Sequence, residues 1–223
     1  ESVKDSSPKI TLTHALIRAC VLAFQENLTM NRYVSGYRLY QRDNIEISFS
    51  MKKEKVSRSP IKVVKMEFTS EETIYQIAQR ISERVNVERS DKKSYVDKEI
   101  ILFTSLPRFM LRLFVWFQRL LDSWNLLPYS FIKNDPLYSS LFIANLGTIG
   151  MDAAFHHLYE YGTISLFCTV GEMKDSPIIA NGKVVPAKLL HIRFSYDERI
   201  DDGLTSGKGI ASAVKFLEDP EKY

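Results

Sequence analysis

The order of helix-like and strand-like segments is the feature that most limits how this chain folds. Apolar residues recur at helical spacing over 11–27 and predict an amphipathic helix. Strand patterns follow at 37–40, 44–49 and 61–68, and a second helix is predicted over 70–87. Helices and hairpin-linked strands thus alternate without a regular β-α-β rhythm. This order favours an α/β protein whose sheet is mixed, and mostly antiparallel, over a parallel one.

The second half of the chain continues this pattern. Buried strands are predicted over 139–146 and 163–170, an alternating strand over 188–196, and a helix over 203–218. Asn181 and Gly182 form a strong hairpin signal. Nearer the start, the segments 37–40 and 44–49 are expected to pair with each other through a turn at 41–43.

Length and charge limit the classes of protein that remain. With 223 residues and 45% hydrophobic residues, the chain suits one domain spanning 1–223, with ample material for a core. A formal net charge of +3, without any dense run of Lys and Arg, does not support nucleic-acid binding. No apolar run is long and charge-free enough to span a bilayer.

The cysteines and histidines do not form a recognisable site. Cys20 and Cys168 lie in separate apolar runs, which is typical of small buried side chains in a reducing compartment such as the cytoplasm. The four histidines show no metal-ligand spacing, so no metal site is predicted. His156 and His157 are expected on a helix, where adjacent side chains diverge by about 100° and do not readily form one site.

The segment 195–203, read as SYDERIDDG, is the most informative motif. It joins the last predicted strand to the last helix. It resembles the D-H-R-x-x-D-G turn of the dihydrolipoyl acyltransferases of 2-oxoacid dehydrogenase complexes and, more loosely, of chloramphenicol acetyltransferase. Asp197, Arg199, Asp202 and Gly203 match the pattern, and Glu198 stands where the family has its histidine.

The resemblance extends upstream. FIANLGTIG at 142–150 is similar to the family's F-T-I-S-N-L-G-x-x-G strand and turn, and KITLTHALIRACVLAFQEN at 9–27 is similar to its first core helix. The implied fold is a CoA-dependent acyltransferase-like two-layer sandwich, a mixed, mostly antiparallel sheet with flanking helices. Because the family's domain has a further arm before that helix, the chain is expected to lack the N-terminal arm.

The resemblance also implies a chemistry. The family's histidine takes the proton of a coenzyme A or dihydrolipoamide thiol, a serine stabilises the tetrahedral oxyanion, and an aspartate four residues after the histidine orders the site. Here these roles fall on Glu198, Ala144 and Asp202, with Asn145 beside the oxyanion position. The family forms its sites between subunits of a trimer. A homotrimer using coenzyme A or acyl-CoA as substrate, with no permanently bound cofactor, is therefore expected.

Two departures leave the activity open. Ala144 has no hydroxyl to donate, and losing one oxyanion donor costs about 10²–10³ in rate. Carboxylates at Asp197, Asp201 and Asp202 favour proton uptake by Glu198, whereas Arg199 opposes it.

Each of these residues also has a plainer interpretation. Glu198, Arg199 and Asp202 could form only a structural ion-pair cluster, Asp202 could cap the last helix, and Asn145 could bond local backbone. A catalytically inactive trimeric assembly or CoA-binding module is the alternative to an acyltransferase.

The segment 106–131 is not explained by the resemblance. It carries two Trp and four Phe, and on a helical wheel Arg108, Arg112, Arg119 and Asp122 share a narrow stripe. A helix buried on most sides, or half buried in an oligomer interface, is the favoured interpretation. Contact with a membrane surface or a partner groove is the alternative.

Overall fold

The computed structural model describes residues 8–52, 61–89, 106–124 and 126–219. Its helices are α1 (Leu12–Glu26), α2 (Ile74–Arg89), α3 (Arg108–Ser123), the single-turn α4 (Tyr129–Ile132) and α5 (Gly203–Glu218). Its strands are β1 (Arg32–Ser35), β2 (Arg38–Gln41), β3 (Ile45–Lys52), β4 (Ile61–Phe68), β5 (Leu141–Asn145), β6 (Leu166–Ala180) and β7 (Lys183–Tyr196).

The main sheet is mixed, as the sequence predicted. Its five strands are ordered β4-β3-β5-β6-β7. The β3–β5 and β5–β6 pairs are parallel, while β3–β4 and β6–β7 are antiparallel. The hairpin of β6 and β7 turns at Asn181 and Gly182, whose φ angles of 52° and 75° suit the predicted turn.

The core lies between one face of this sheet and the helices α1, α2 and α5. Leu141 and Ile143 of β5 pack there against Leu16 and Ile17 of α1 in one buried cluster. Side chains alternate along a strand, so Phe142 and Ala144 lie on the opposite face, with Phe167 of β6. The sheet forms one layer of the structure, and α1, α2 and α5 form the other.

The start of α1 is set by Thr11, its N-cap residue. The backbone N–H of Thr11 donates to Nδ1 of His14 at 3.2 Å. Burial lowers the pKa of His14, which suits a neutral ring that accepts this bond. His14 is therefore part of the cap.

The predicted start of α2 at residue 70 is wrong by four residues. Thr73 and Gln76 form a reciprocal box: Thr73 N donates to Gln76 Oε1 at 2.8 Å, and Gln76 N donates to Thr73 Oγ1 at 3.3 Å. Glu72 instead accepts from Thr69 N at 2.9 Å in the preceding turn. The T-x-x-Q pattern at 73–76 therefore sets the start of α2, and the acidic residues Glu71 and Glu72 lie before the helix.

The predicted pairing of 37–40 with 44–49 is also wrong. β2 pairs with β1 in a separate two-stranded sheet, and β3 pairs with β4 and β5. Gly36 and Tyr37, with φ angles of 54° and 60°, make the turn between β1 and β2. A hairpin signal at 36–37 was thus overlooked in favour of the polar residues at 41–43.

Candidate active site

The turn between β7 and α5 is a rigid structure built around Asp197. Its backbone N–H donates to Ser165 O at 2.9 Å, which ties the turn to the start of β6. Its carboxylate accepts from Nε and Nη2 of Arg199 at 2.8 and 2.6 Å, and from the Arg199 backbone N–H at 3.0 Å. Burial alone would raise the pKa of Asp197, but these hydrogen bonds outweigh it and lower the pKa.

Glu198 sits between these two partners and is exposed to solvent. The fork between Asp197 and Arg199 fixes the backbone on both sides of it. Arg199 thus pairs with Asp197, which was not part of the ion-pair cluster considered from the sequence. Glu198 is one of several residues that this turn presents to solvent, together with Arg199.

Asp202 is the N-cap of α5. Its carboxylate accepts from the backbone N–H of Thr205 at 2.7 Å. The capping role considered from the sequence is therefore confirmed. At Gly203 an added Cβ would lie 3.5 Å from the Tyr196 hydroxyl, an ordinary contact, so close packing does not explain this glycine.

The oxyanion-side position lies at the far end of β5. Ala144 is partly buried and packs against the apolar cluster of Phe142, Ile164 and Phe167. Nδ2 of the neighbouring Asn145 donates to Thr13 Oγ1 of α1 at 3.1 Å. The Asn145 amide therefore joins the strand to a helix.

Close backbone packing explains the glycine at position 147 of the family-like segment 142–150, and also Gly171 of β6. A Cβ at Gly147 would lie 2.4 Å from the carbonyl oxygen of Gly171, and one at Gly171 would lie 2.5 Å from Ala153 N. The loop after β5 therefore rests directly on the backbone of β6. Backbone proximity of this kind is not visible in the sequence.

The structure does not bring Ala144 and Glu198 together within one chain. Ala144 pairs with Thr169 of β6, and Thr169 pairs with Arg193 of β7. Glu198 follows Arg193 by five residues, which places it roughly 15 Å further along the strand direction, two strands away. The two predicted chemical positions therefore lie towards opposite ends of β5.

A cleft of about 520 Å³ opens beside the β7–α5 turn. Asp197 and Arg199 line one side, the β1–β2 turn another, and Arg119 and Asp122 of α3 a third. Glu198 is thus flanked by two residues that line the cleft, and a bound molecule there would lie close to the motif.

A smaller cavity of about 210 Å³ shares Ser35, Asp122 and Thr163 with that cleft. Its wall holds a charged group that the sequence analysis missed. Arg42 donates to Thr163 O at 3.1 Å and stacks 4.3 Å from the Tyr33 ring centroid. Glu46 accepts from Lys65 at 3.0 Å and lies 3.9 Å from Arg42. Glu46 and Lys65 reach this group from the paired strands β3 and β4, and Arg42 reaches it from the segment after β2. No sequence motif identifies the group.

The adjacent histidines differ from the prediction. His156 and His157 lie in a segment without helical structure, and their rings stack at 5.0 Å with an interplanar angle of 6°. The expected 100° divergence assumed a helix, so it was wrong. His156 also stacks on Phe167 at 3.9 Å, on the sheet face that carries Ala144.

His191 makes the other contact of note. Its Nδ1 lies 3.1 Å from the carboxylate of Asp152, and Lys174 is 3.6 Å from the same carboxylate. Hydrogen bonding from His191 is the main cause of a lowered pKa for Asp152. No partner of His191 was predicted from the sequence, because Asp152 lies in the loop after β5 and is brought to His191 only by the fold.

The two cysteines are free and buried, as expected. Burial raises the pKa of Cys20 to about 12, and it also raises that of Cys168. Among the described residues, no group of three His, Cys, Asp or Glu side chains is placed to hold a metal ion.

Comparison with known proteins confirms the resemblance. The sequence profile of the 2-oxoacid dehydrogenases acyltransferase (catalytic domain) family matches residues 133–223, which include Ala144 and the 197–203 turn. A probable dihydrolipoyllysine-residue succinyltransferase component of the 2-oxoglutarate dehydrogenase complex from Schizosaccharomyces pombe is 30% identical over 79 residues, 34% of this chain and 18% of that protein. The chain thus spans less than a fifth of that relative's length.

Solved structures extend the likeness to the whole fold. A probable dihydrolipoamide acetyltransferase from Listeria monocytogenes has a TM-score of 0.68 at 18% identity, over 97% of this chain and 74% of that one. Dihydrolipoamide acetyltransferase from Azotobacter vinelandii has a TM-score of 0.67 at 17% identity, over 98% and 73%. At this identity the likeness establishes the fold.

Proposed function

Since the described chain has the fold of the dihydrolipoyl acyltransferase catalytic domains, we propose that it transfers an acyl group between coenzyme A and a thiol or other acceptor. The observation that carries this proposal is the β7–α5 turn. Asp197, Arg199 and the capping Asp202 build it, and it presents residue 198 beside a cleft. A carboxylate occupies the position at which the family has its histidine.

The chemistry assigns one proton transfer to Glu198. Its carboxylate takes the proton of the acceptor thiol, and the thiolate attacks the thioester carbonyl of acyl-CoA. The tetrahedral intermediate then collapses with cleavage of the bond between the acyl carbon and the coenzyme A sulfur. Glu198 returns the proton to the departing coenzyme A thiolate, so the products are acylated acceptor and free coenzyme A.

Ala144 sets the expected rate. Without a hydroxyl at this position, the oxyanion lacks one donor, which lowers turnover by about 10²–10³ relative to a site that has one. In the Azotobacter enzyme a serine, a histidine and an asparagine are the residues studied in the catalytic mechanism. The motif resemblance puts Ala144 and Glu198 at the family's serine and histidine positions, so we expect a slow enzyme.

The separation of Ala144 and Glu198 supports a site shared between subunits. If the site needs both strand ends, the Ala144 end of one copy must approach the Glu198 turn of another. A homotrimer, the assembly that the resemblance implies, supplies this arrangement three times in a closed ring. Coenzyme A and the acceptor would then enter a channel between copies.

An acceptor-dependent assay tests the proposed activity. Purified protein is incubated with acyl-CoA donors and a panel of acceptors that includes dihydrolipoamide, and release of the coenzyme A thiol is followed. Acceptor-dependent release above the uncatalysed rate is expected. Release no faster than in buffer, for every donor and acceptor, would refute the proposal.

A non-catalytic module is the second candidate, and specific observations favour it. The family's histidine and serine are both replaced. Asp202 caps α5, and Asn145 joins β5 to α1, so both have structural roles. Such a module would bind coenzyme A, or organise partner proteins, without catalysing acyl transfer. Titration calorimetry separates the two: binding of coenzyme A without turnover supports the module, and absence of binding refutes its coenzyme-A-binding form.

A further inference from the structure

α3 turns its apolar side chains away from the body of the protein. An amphipathic helix ordinarily packs its apolar stripe against the core. On α3 the residue on the buried side is Gln118, 8% exposed, which hydrogen-bonds Tyr161. Trp116 is 60% exposed and Phe109 is 71% exposed. The expectation of a helix buried on most sides is not met in the single chain.

Apart from Val115, the exposed large apolar side chains of α3 form one continuous stripe. At 100° per residue they fall within a sector of about 120°, roughly opposite Gln118. The stripe consists of Phe109, Met110, Leu113, Trp116, Phe117 and Leu120. Trp124, 71% exposed, extends it beyond the end of the helix. A patch of this kind marks an interaction surface.

Polar contacts hold α3 in this orientation. Ser35 Oγ donates to the Asp122 carbonyl at 3.3 Å, and the Tyr138 hydroxyl donates to Asp122 Oδ1 at 3.5 Å. Burial raises the pKa of Asp122, with the Tyr138 bond opposing that shift. The acidic residue of α3 is therefore directed towards the protein, and its contribution to the outer surface is small.

Arginines border the apolar stripe. Arg108, Arg112 and Arg119 are exposed and lie within about 40° of one another on the helix. Asp122 is the one acidic residue in the sequence of α3. The outer side of α3 thus combines a wide apolar stripe, tryptophan and a positive edge.

We propose that α3 binds the surface of an anionic membrane. The apolar stripe would enter the boundary between head groups and acyl chains, and the arginines would meet lipid phosphates. Tryptophan is enriched at this depth. Among the described residues, no helix is long and apolar enough to cross a membrane. The contact is therefore peripheral, along a helix about 24 Å long.

Charge favours lipid over a second copy of the same helix. Pairing α3 with α3 would bring six arginines to one interface without an outward acid between them. An anionic head-group layer neutralises all three arginines of each copy. The contact would also set the cleft beside the 197–203 turn close to the lipid surface, because Arg119 and Asp122 line that cleft.

Vesicle flotation tests the proposal whether or not the protein is catalytic. The full chain is mixed with vesicles of phosphatidylcholine alone, or of phosphatidylcholine with phosphatidylglycerol. Flotation is expected with the anionic vesicles and should weaken at high salt. Replacing all three arginines with glutamine should reduce binding about 100-fold, because each contributes about fivefold near an anionic surface.

Matched substitutions identify the surface. Trp116→Glu should reduce flotation at least about tenfold. Ile179→Glu, at a still more exposed apolar position on the β6–β7 hairpin, should leave flotation unchanged. Both replace exposed side chains, and equal melting temperatures confirm that the variants fold.

Three outcomes would overturn the proposal. The wild-type protein could remain at the bottom of the gradient with anionic vesicles. Trp116→Glu and Ile179→Glu could lose binding equally. Trp116→Glu could also reduce the mass of the protein in solution while the wild type does not float, which would assign the stripe to contact between copies.

Discussion

At the scale of single residues, Asp202 has a structural role that can be separated from a chemical one. Its carboxylate caps α5 through Thr205 N at 2.7 Å. Asp202→Ala should lower the free energy of unfolding by about 1 kcal/mol, whereas Asp202→Asn should leave it nearly unchanged, because asparagine caps equally well. Urea unfolding measures both.

The same pair of variants tests whether Asp202 also orders the site. If it does, Asp202→Asn should lose activity while keeping its stability. Activity that follows stability in both variants would mean that Asp202 only caps the helix.

The position of this motif between the last strand and the last helix was predicted correctly, because its residues are consecutive in the sequence. The sequence did not show that Glu198 and Ala144 lie towards opposite ends of β5. That separation depends on the register of β5, β6 and β7, which is a property of the folded sheet. Likewise, the charged group around Arg42 became visible only when strand pairing brought Thr163 and Lys65 to it.

At the scale of elements, the loop that follows β5 packs against β6 only because glycine at 147 and 171 has no side chain. A Cβ at Gly147 would collide with the backbone of Gly171 at 2.4 Å, and backbone cannot move aside cheaply. Gly147→Ala should therefore destabilise the protein by about 2 kcal/mol.

Gly207 in α5 is the matched control. An added Cβ there meets nothing within 4 Å. Gly207→Ala should stabilise the protein by about 0.5–1 kcal/mol, because glycine is costly inside a helix. Thermal unfolding of the two variants should shift in opposite directions. A shift of the same sign would contradict the packing assigned to Gly147.

Prediction of elements succeeded where the signal was local. α5, β4 and the turn at Asn181 and Gly182 follow from short patterns of capping, alternation and turn residues. The pairing of β2 was wrong because two turn signals competed within a few residues. The orientation of α3 was not predicted, because its periodicity gives an apolar stripe but not the direction in which that stripe points.

At the scale of the whole molecule, we expect the chain to associate into a homotrimer. One chain has a mass of 25.7 kDa, and a homotrimer would measure about 77 kDa by light scattering behind a sizing column. The trimer should persist in Glu198→Ala, because a single exposed side chain at the turn contributes little to the contact between subunits. A mass near that of one chain at micromolar concentration would refute the shared site.

The most direct test of the account is the effect of one side-chain change on acyl transfer. Glu198→Gln keeps the size of the side chain and removes its ability to take a proton. Acceptor-dependent release of coenzyme A should fall about 10²-fold or more in this variant, the usual contribution of a general base. Glu218→Gln, at an exposed glutamate that ends α5, should retain the wild-type rate. A Glu198→Gln protein as active as the wild type would contradict the assignment of the base.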